Sequence, residues 1–273
     1  MSAHELDHLA IAVPLWAPAG AVLNSELGAR WASGFRMEAF NPCQLAVADD
    51  MRLELLEPGS GEHSFIQRFL SENDGHAAPH HITFKVHDIR AAIAGAQGAG
   101  IEPVLVNLQH PQWQEAFLHP QDTGLGFLVQ MVQAPQSVEE ITGTDDGGSL
   151  ACPWGQSDTA PLRIPLIYGN VENLSQAGAV LREVLGAREY STGGGTSTAS
   201  FHWDEGADLL LTEVGEASGA GGIQGILALP ADTDFSARDF PERLPALLAA
   251  GTDHPEIGLR ISVLANASAG ASP

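Results

Sequence analysis

One pattern constrains this chain more than any other: a short strand with a histidine near its start, then a helix closed by glycine, appears twice at nearly the same spacing. Residues 6–13, LDHLAIAV, read as a strand, and a helix is expected from Ala17 to Leu27 with Gly28 as its C-terminal cap. Residues 79–87, PHHITFKVH, repeat the scheme, with Asp88 as N-cap, a helix over IRAAIAGAQGA, and Gly100 ending it. His8 to Gly28 is 28 − 8 = 20 positions and His81 to Gly100 is 100 − 81 = 19. Strands are expected after each helix, at 35–40, 44–48 and 51–57 in the first unit and at 101–106, 114–118 and 125–132 in the second.

A third copy starts at Arg163, with IPLIYGNV as strand, ENLSQAGAVLREVLGA as helix ending near Gly186, and FHWDEGADLLLTEV as a hairpin. A weaker fourth copy is GIQGILAL, DFPERLPALLAAG and IGLRISVLA. Units of strand, helix and three strands imply an α+β fold of tandem βαβββ modules in curved mixed sheets. Two domains of two modules each are expected. They cover 4–135 and 162–266 and are joined over 136–161 by a linker rich in Gly, Ser, Thr, Asp and Pro. The terminal ASAGASP reads as a frayed tail.

Alternation along each strand then sorts the polar residues. Leu9, Ile11 and Val13 share one face of the first strand and His8, Ala10 and Ala12 the other. Ile82, Phe84 and Val86 oppose His81, Thr83 and Lys85; Leu53 and Leu55 oppose Arg52 and Glu54; Phe127, Val129 and Met131 oppose Gln130. Four strands thus each place one potential ligand on the face away from the helices, which is concave if the sheet curls. Two imidazoles, a carboxylate and an amide oxygen suit a divalent ion such as Zn, Ni, Co, Mn or Fe.

The segments LDHLAIAV, RLELLEP, HHITFKVHDI, FLHPQDTG and GFLVQMVQ, in that order, resemble methylmalonyl-CoA epimerase and its relatives in the vicinal oxygen chelate superfamily of glyoxalases, bleomycin-resistance proteins and dioxygenases. The resemblance covers residues 5–134. It implies a U-shaped barrel of two modules around a divalent metal, with ligands at His8, Glu54, His81 and Gln130. Gln130 departs from the glutamate expected there and leaves Glu54 as the carboxylate of the set. The resemblance also implies a general base, matched to Glu38 by ungapped counting back from Glu54; a one-residue gap in the 48–51 turn moves that position to Ala39. Read without the resemblance, Glu38 is an exposed strand residue. His119 in FLHPQDTG matches a loop that contacts substrate, and a structural hydrogen bond is the alternative reading.

Aligned on the same strands, Leu166, Leu210, Gly225 and Ser262 stand where His8, Glu54, His81 and Gln130 stand, so the second half keeps no ligand set. That half is expected to support the first, to close its cavity or to mediate homodimerisation. Two-domain extradiol dioxygenases share the layout but typically carry their metal in the second half.

The function these readings imply is a metal-dependent lyase or isomerase of the glyoxalase or epimerase kind, stabilising an enolate of a small chelating carbonyl substrate. An iron-dependent extradiol-type dioxygenase and a non-enzymatic small-molecule binding or resistance protein are the alternatives. The net charge of 12 − 34 = −22 opposes binding to phosphate backbones and anionic membranes, so nucleic acid and lipid are not expected as partners. The absence of a basic, apolar leader in the given sequence and of an ~18-residue apolar run leads to the expectation of a cytoplasmic protein.

Overall fold

The computed structural model describes residues 4–48, 51–62, 64–134, 149–191, 197–215, 221–233, 235 and 244–264. The first half runs β1 (Glu5–Ala12), α1 (Trp16–Leu27), β2 (Arg30–Gly34), β3 (Phe40–Val47), β4 (Met51–Pro58), α2 (Phe65–Glu72), β5 (Ala78–Lys85), α3 (Ile89–Gly98), β6 (Val104–Asn107), β7 (Gln114–Leu118), α4 (Pro120–Thr123) and β8 (Leu128–Gln133). The second half runs β9 (Leu162–Val171), α5 (Leu174–Glu183), β10 (Arg188–Ser191), β11 (Thr198–His202), β12 (Asp208–Glu213), β13 (Gly222–Pro230), α6 (Leu244–Ala249), β14 (Thr252–His254) and β15 (Leu259–Val263). Among the described residues, the strands form an eight-stranded sheet, β2-β3-β4-β1-β5-β8-β7-β6, and a seven-stranded sheet, β10-β11-β12-β9-β13-β15-β14. In each, the first strands of two modules meet antiparallel at the centre, and each pairs in parallel with the last strand of its own module; three modules are βαβββ, and the last has two strands after its helix among the described residues.

The expected helix signals act as read. Gly28 takes the left-handed conformation (φ 64°) and donates its N–H to the Asn24 carbonyl. The Asp88 carboxylate caps α3 by accepting the N–H groups of Arg90 and Ala91. Several elements differ from expectation. The strand placed at 35–40 lies at Arg30–Gly34, because the loop after it is fixed by Asn41, whose side-chain oxygen accepts the Met37 N–H. The short strands β10 and β14 were not anticipated. Neither was α2, which Ser64 caps and which turns Ile66 and Leu70 inward. Residues 136–148 of the expected linker and the terminal tail lie outside the described residues.

Alternation decides where the core sits. Leu9, Ile11 and Val13 pack with Leu53, Leu55, Ile82 and Phe84 beneath Ala19, Leu23 and Leu27 of α1. Each such side chain contributes roughly 1.5–3 kcal/mol by leaving water. This apolar cluster is continuous through both halves, with Phe84 and Trp203 rings 4.9 Å apart at the crossing. On the opposite face of the first sheet, α2 covers Ala10, Ala12 and Leu56 with Ile66 and Leu70. That packing closes one end of the concave surface and leaves the polar end of β1 as a buried cup.

In the second half the corresponding cup is filled. Leu166, Leu210 and Leu227 meet Leu244 of α6, with Tyr168 and Leu248 beside them. The strand registers match those of the first sheet. Asp208 pairs with Leu166 and Leu210 with Tyr168, as Arg52 pairs with His8 and Glu54 with Ala10. Gly225 pairs with Tyr168 as His81 pairs with Ala10, and Ser262 with Leu227 as Gln130 with Thr83. Leu166, Leu210, Gly225 and Ser262 therefore occupy the four positions expected of them, and a leucine plug stands where the first half has polar groups.

Candidate metal centre

β1, β4, β5 and β8 lie side by side, so their concave-face residues converge. His8 Nε2 is 3.6 Å from Glu54 Oε2, and His81 Nε2 is 3.8 Å from the same oxygen. One donor atom from each of His8, Glu54 and His81 lies within 4.8 Å of the others. Both imidazoles are buried, His8 at 1% exposure and His81 at 4%.

Each of these groups is aimed by a second residue. Asp7 Oδ2 lies 2.6 Å from His8 Nδ1 and also pairs with Arg52. Asp7 thereby turns the other ring nitrogen, Nε2, into the cup, the arrangement by which carboxylates orient metal-binding imidazoles. Gln44, opposite Glu54 on β3, donates its amide to Glu54 Oε1 at 2.9 Å and leaves Oε2 for the histidines. His80 Nδ1 is 2.8 Å from His81 Nδ1, and the His80 ring lies edge-on to Phe69 of α2. Among the described residues, His81 Nε2 has no hydrogen-bond partner.

Charge follows this geometry. Burial alone would lower the His8 pKa, but hydrogen bonds and opposite charges from Asp7 and Glu54 outweigh it and raise it to about 9. Burial alone would raise Asp7, yet the His8 hydrogen bond and the His8 and Arg52 charges hold its carboxyl well below the usual carboxylate range. Burial, then the charges of His80 and His8, push His81 well below an ordinary histidine. Burial also lowers His80, to about 4. The surroundings of His81 thus favour its neutral imidazole form.

Gln130 lies at the same cup, its Oε1 accepting the Thr83 hydroxyl at 2.7 Å, and Thr83 Oγ1 is 2.9 Å from His8 Nε2. The four residues expected to bind metal are thus gathered, with Thr83 between two of them. Glu38 is not brought to them: it is exposed in the loop before β3, and its backbone carbonyl accepts the Gly61 N–H. His119 caps the short α4, with Nδ1 accepting the Gln121 N–H at 3.3 Å. Asp7, Gln44, Thr83 and Glu115 were not singled out from sequence. Thr83 carried a signal, since it alternates with His81. Glu115 carried none, because its place depends on β7 pairing with β8.

The donors present fit a divalent ion. Two imidazole nitrogens and a carboxylate oxygen converge on one point, and one of those nitrogens, His81 Nε2, is buried without a hydrogen-bond partner among the described residues. A buried polar atom left unpaired costs roughly 1–3 kcal/mol, which coordination would recover.

Residues 7–117 match the family model described as Glyoxalase/Bleomycin resistance protein/Dioxygenase superfamily. No curated protein sequence matches the chain. Among solved structures, methylmalonyl-CoA epimerase from Mycobacterium tuberculosis is similar at 22% identity over 51% of this chain and 91% of its own, with a TM-score of 0.44. A variant of 4-hydroxymandelate synthase from Streptomyces coelicolor is similar at 14% identity over 85% of this chain and 72% of its own, with a TM-score of 0.60. The latter likeness concerns the fold, and its coverage is too wide for one half alone.

Proposed function

We propose, from the match of residues 7–117 to the glyoxalase/bleomycin resistance protein/dioxygenase superfamily model and from the geometry of the metal centre, a metal-dependent lyase or isomerase acting on a small chelating carbonyl compound. The observation that carries this reading is the meeting of His8, Glu54 and His81 within 4.8 Å, with His81 Nε2 buried and without a hydrogen-bond partner among the described residues. His8, Glu54 and His81 would hold the ion through Nε2, Oε2 and Nε2, and the Gln130 carbonyl would stand beside them. When bound, a divalent ion supplies Lewis acidity that stabilises enolate charge on a substrate carbonyl.

The chain's own residues set the conditions for that chemistry. Asp7 and His80 orient the two rings, and Gln44 orients Glu54. Phe117, whose ring centroid is 5.8 Å from that of His81, gives the cup an apolar wall. With α2 closing one end, the low dielectric strengthens each polar contact inside. Glu38, exposed in its loop, receives no proton-transfer role.

A second reading is favoured by one specific feature: two histidines and one carboxylate form the facial set of iron-dependent oxygenases. Metal analysis of protein purified without added metal separates the two. Zinc, nickel, cobalt or manganese supports the lyase or isomerase; iron together with oxygen uptake supports the oxygenase. Protein that takes up no metal even on reconstitution overturns both and leaves a ligand-binding role.

A further inference from the structure

Gln130 is tied to a carboxylate outside the ligand set. Glu115 Oε2 accepts the Gln130 Nε2–H at 2.7 Å and the Trp113 Nε1–H at 3.0 Å. An ionised carboxylate only accepts hydrogen bonds, so the side of the Gln130 amide that faces Glu115 must be its NH2 group. The carbonyl oxygen must then face the opposite way, where Thr83 donates to it at 2.7 Å beside His8. An amide oxygen is a metal ligand, whereas an amide NH2 has no lone pair to offer. Rotation of the terminal amide by half a turn would exchange the two at little steric cost.

We propose that Glu115 is a positioning residue of the metal centre: it fixes the orientation of the Gln130 amide so that Oε1 faces the ion. The proposal rests on the metal-centre reading above. It accounts for a glutamine at a position where a carboxylate would need no such partner, since the two oxygens of a carboxylate are equivalent. Trp113 completes the device by holding the same Glu115 oxygen from β7's preceding turn. Gln44 and Glu54 show the same logic across the cup, an amide NH2 turned to a carboxylate, with the roles of ligand and support exchanged.

A double-mutant cycle tests this. Cobalt(II) affinity of the metal-free protein is measured by chelator competition, with the cobalt absorption spectrum as a second readout, for the wild type, Glu115→Ala, Gln130→Glu and the double variant. Glu115→Ala is expected to weaken cobalt binding roughly 10–100-fold and to change the spectrum in the Gln130 background. In the Gln130→Glu background it is expected to leave affinity unchanged or to raise it, because a carboxylate has no amide to orient. Where Glu115→Ala does not fold, Glu115→Gln replaces it in the cycle with a smaller expected loss. Equal losses in both backgrounds, or wild-type affinity and spectrum in the single variant, overturn the proposal while leaving the metal centre standing. No cobalt binding by the wild type overturns the metal centre and the proposal with it.

Discussion

His81 Nε2 stands buried 3.8 Å from Glu54 Oε2 and makes no hydrogen bond among the described residues. Folding leaves that atom desolvated without a protein partner, at a cost of roughly 1–3 kcal/mol. A cation between the two groups would satisfy both. His81→Ala is expected to lower cobalt or zinc affinity more than about 100-fold, a larger loss than removal of a supporting residue causes. Since a ligand that binds only the folded state stabilises it, added metal should raise the melting temperature of the wild type and not of the variant. Unchanged metal content in His81→Ala would remove it from the ligand set.

Metal affinity is expected to depend on pH through His8. The one Thr83 hydroxyl hydrogen goes to Gln130, so the contact between Thr83 and His8 Nε2 requires a proton on that nitrogen. His8 Nδ1 also shares a proton with Asp7, and the ring is an imidazolium up to about pH 9. An ion at Nε2 must displace that proton. Affinity should therefore climb by up to roughly tenfold per pH unit from neutrality and level off above pH 9. Without metal the sign is reversed. A histidine raised above its ordinary value stabilises fully below about 6.5, and that contribution is lost as pH rises through about 9. Isothermal titration at several pH values, with proton release read from two buffers, checks the first; melting of metal-free protein at pH 7 and 10 checks the second.

Asp7→Asn is expected to act on the same ring from the other side. It removes the charge that holds His8 Nδ1 and that pairs with Arg52. Metal affinity should fall roughly 10–100-fold as ring orientation and basicity are lost. The acid limb of stability should change as well. The Asp7 pKa is depressed in the folded protein, so its contribution is complete above its ordinary value and disappears as pH falls below it. The wild type should lose stability between pH 4 and 2 more steeply than Asp7→Asn. Equal slopes in denaturant titrations across that range would show that the Asp7 cluster contributes nothing.

Much of this arrangement was legible because it is periodic. Alternation in LDHLAIAV and HHITFKV separates core from cup, and the Gly28 and Asp88 caps mark helix ends through local hydrogen bonds. The repeats also carried the correspondence of Leu166, Leu210, Gly225 and Ser262 with the four cup positions, which the strand registers reproduce. What stayed hidden depends on contacts distant in sequence. Glu115 acquires meaning only when β7 lies beside β8. Helix α2 is a short insertion between two repeats, and its inward face of Ile66 and Leu70 is stabilised by β1 and β4 rather than by its own propensity. Glu38 was placed by ungapped counting back from Glu54, and the loop before β3, fixed by Asn41, leaves it exposed and away from the cup.

The filled cup of the second half yields a stability prediction at Gly225. Tyr168 stands where the first half has Ala10, and its ring reaches across to the position that His81 occupies there. A Cβ on Gly225 would lie 2.3 Å from the Tyr168 hydroxyl and 2.5 Å from the Arg260 carbonyl oxygen. The tyrosine tip can shift, but the carbonyl belongs to the paired strand β15 and cannot do so without bending the sheet. Gly225→Ala is therefore expected to destabilise the protein by about 1–3 kcal/mol through overpacking. Adding Tyr168→Phe should recover only part of the loss, because the carbonyl contact persists. Urea unfolding of the single and double variants measures both effects; full recovery in the double variant would locate the strain in the tyrosine alone, and wild-type stability in Gly225→Ala would show that the second cup has room its packing does not reveal.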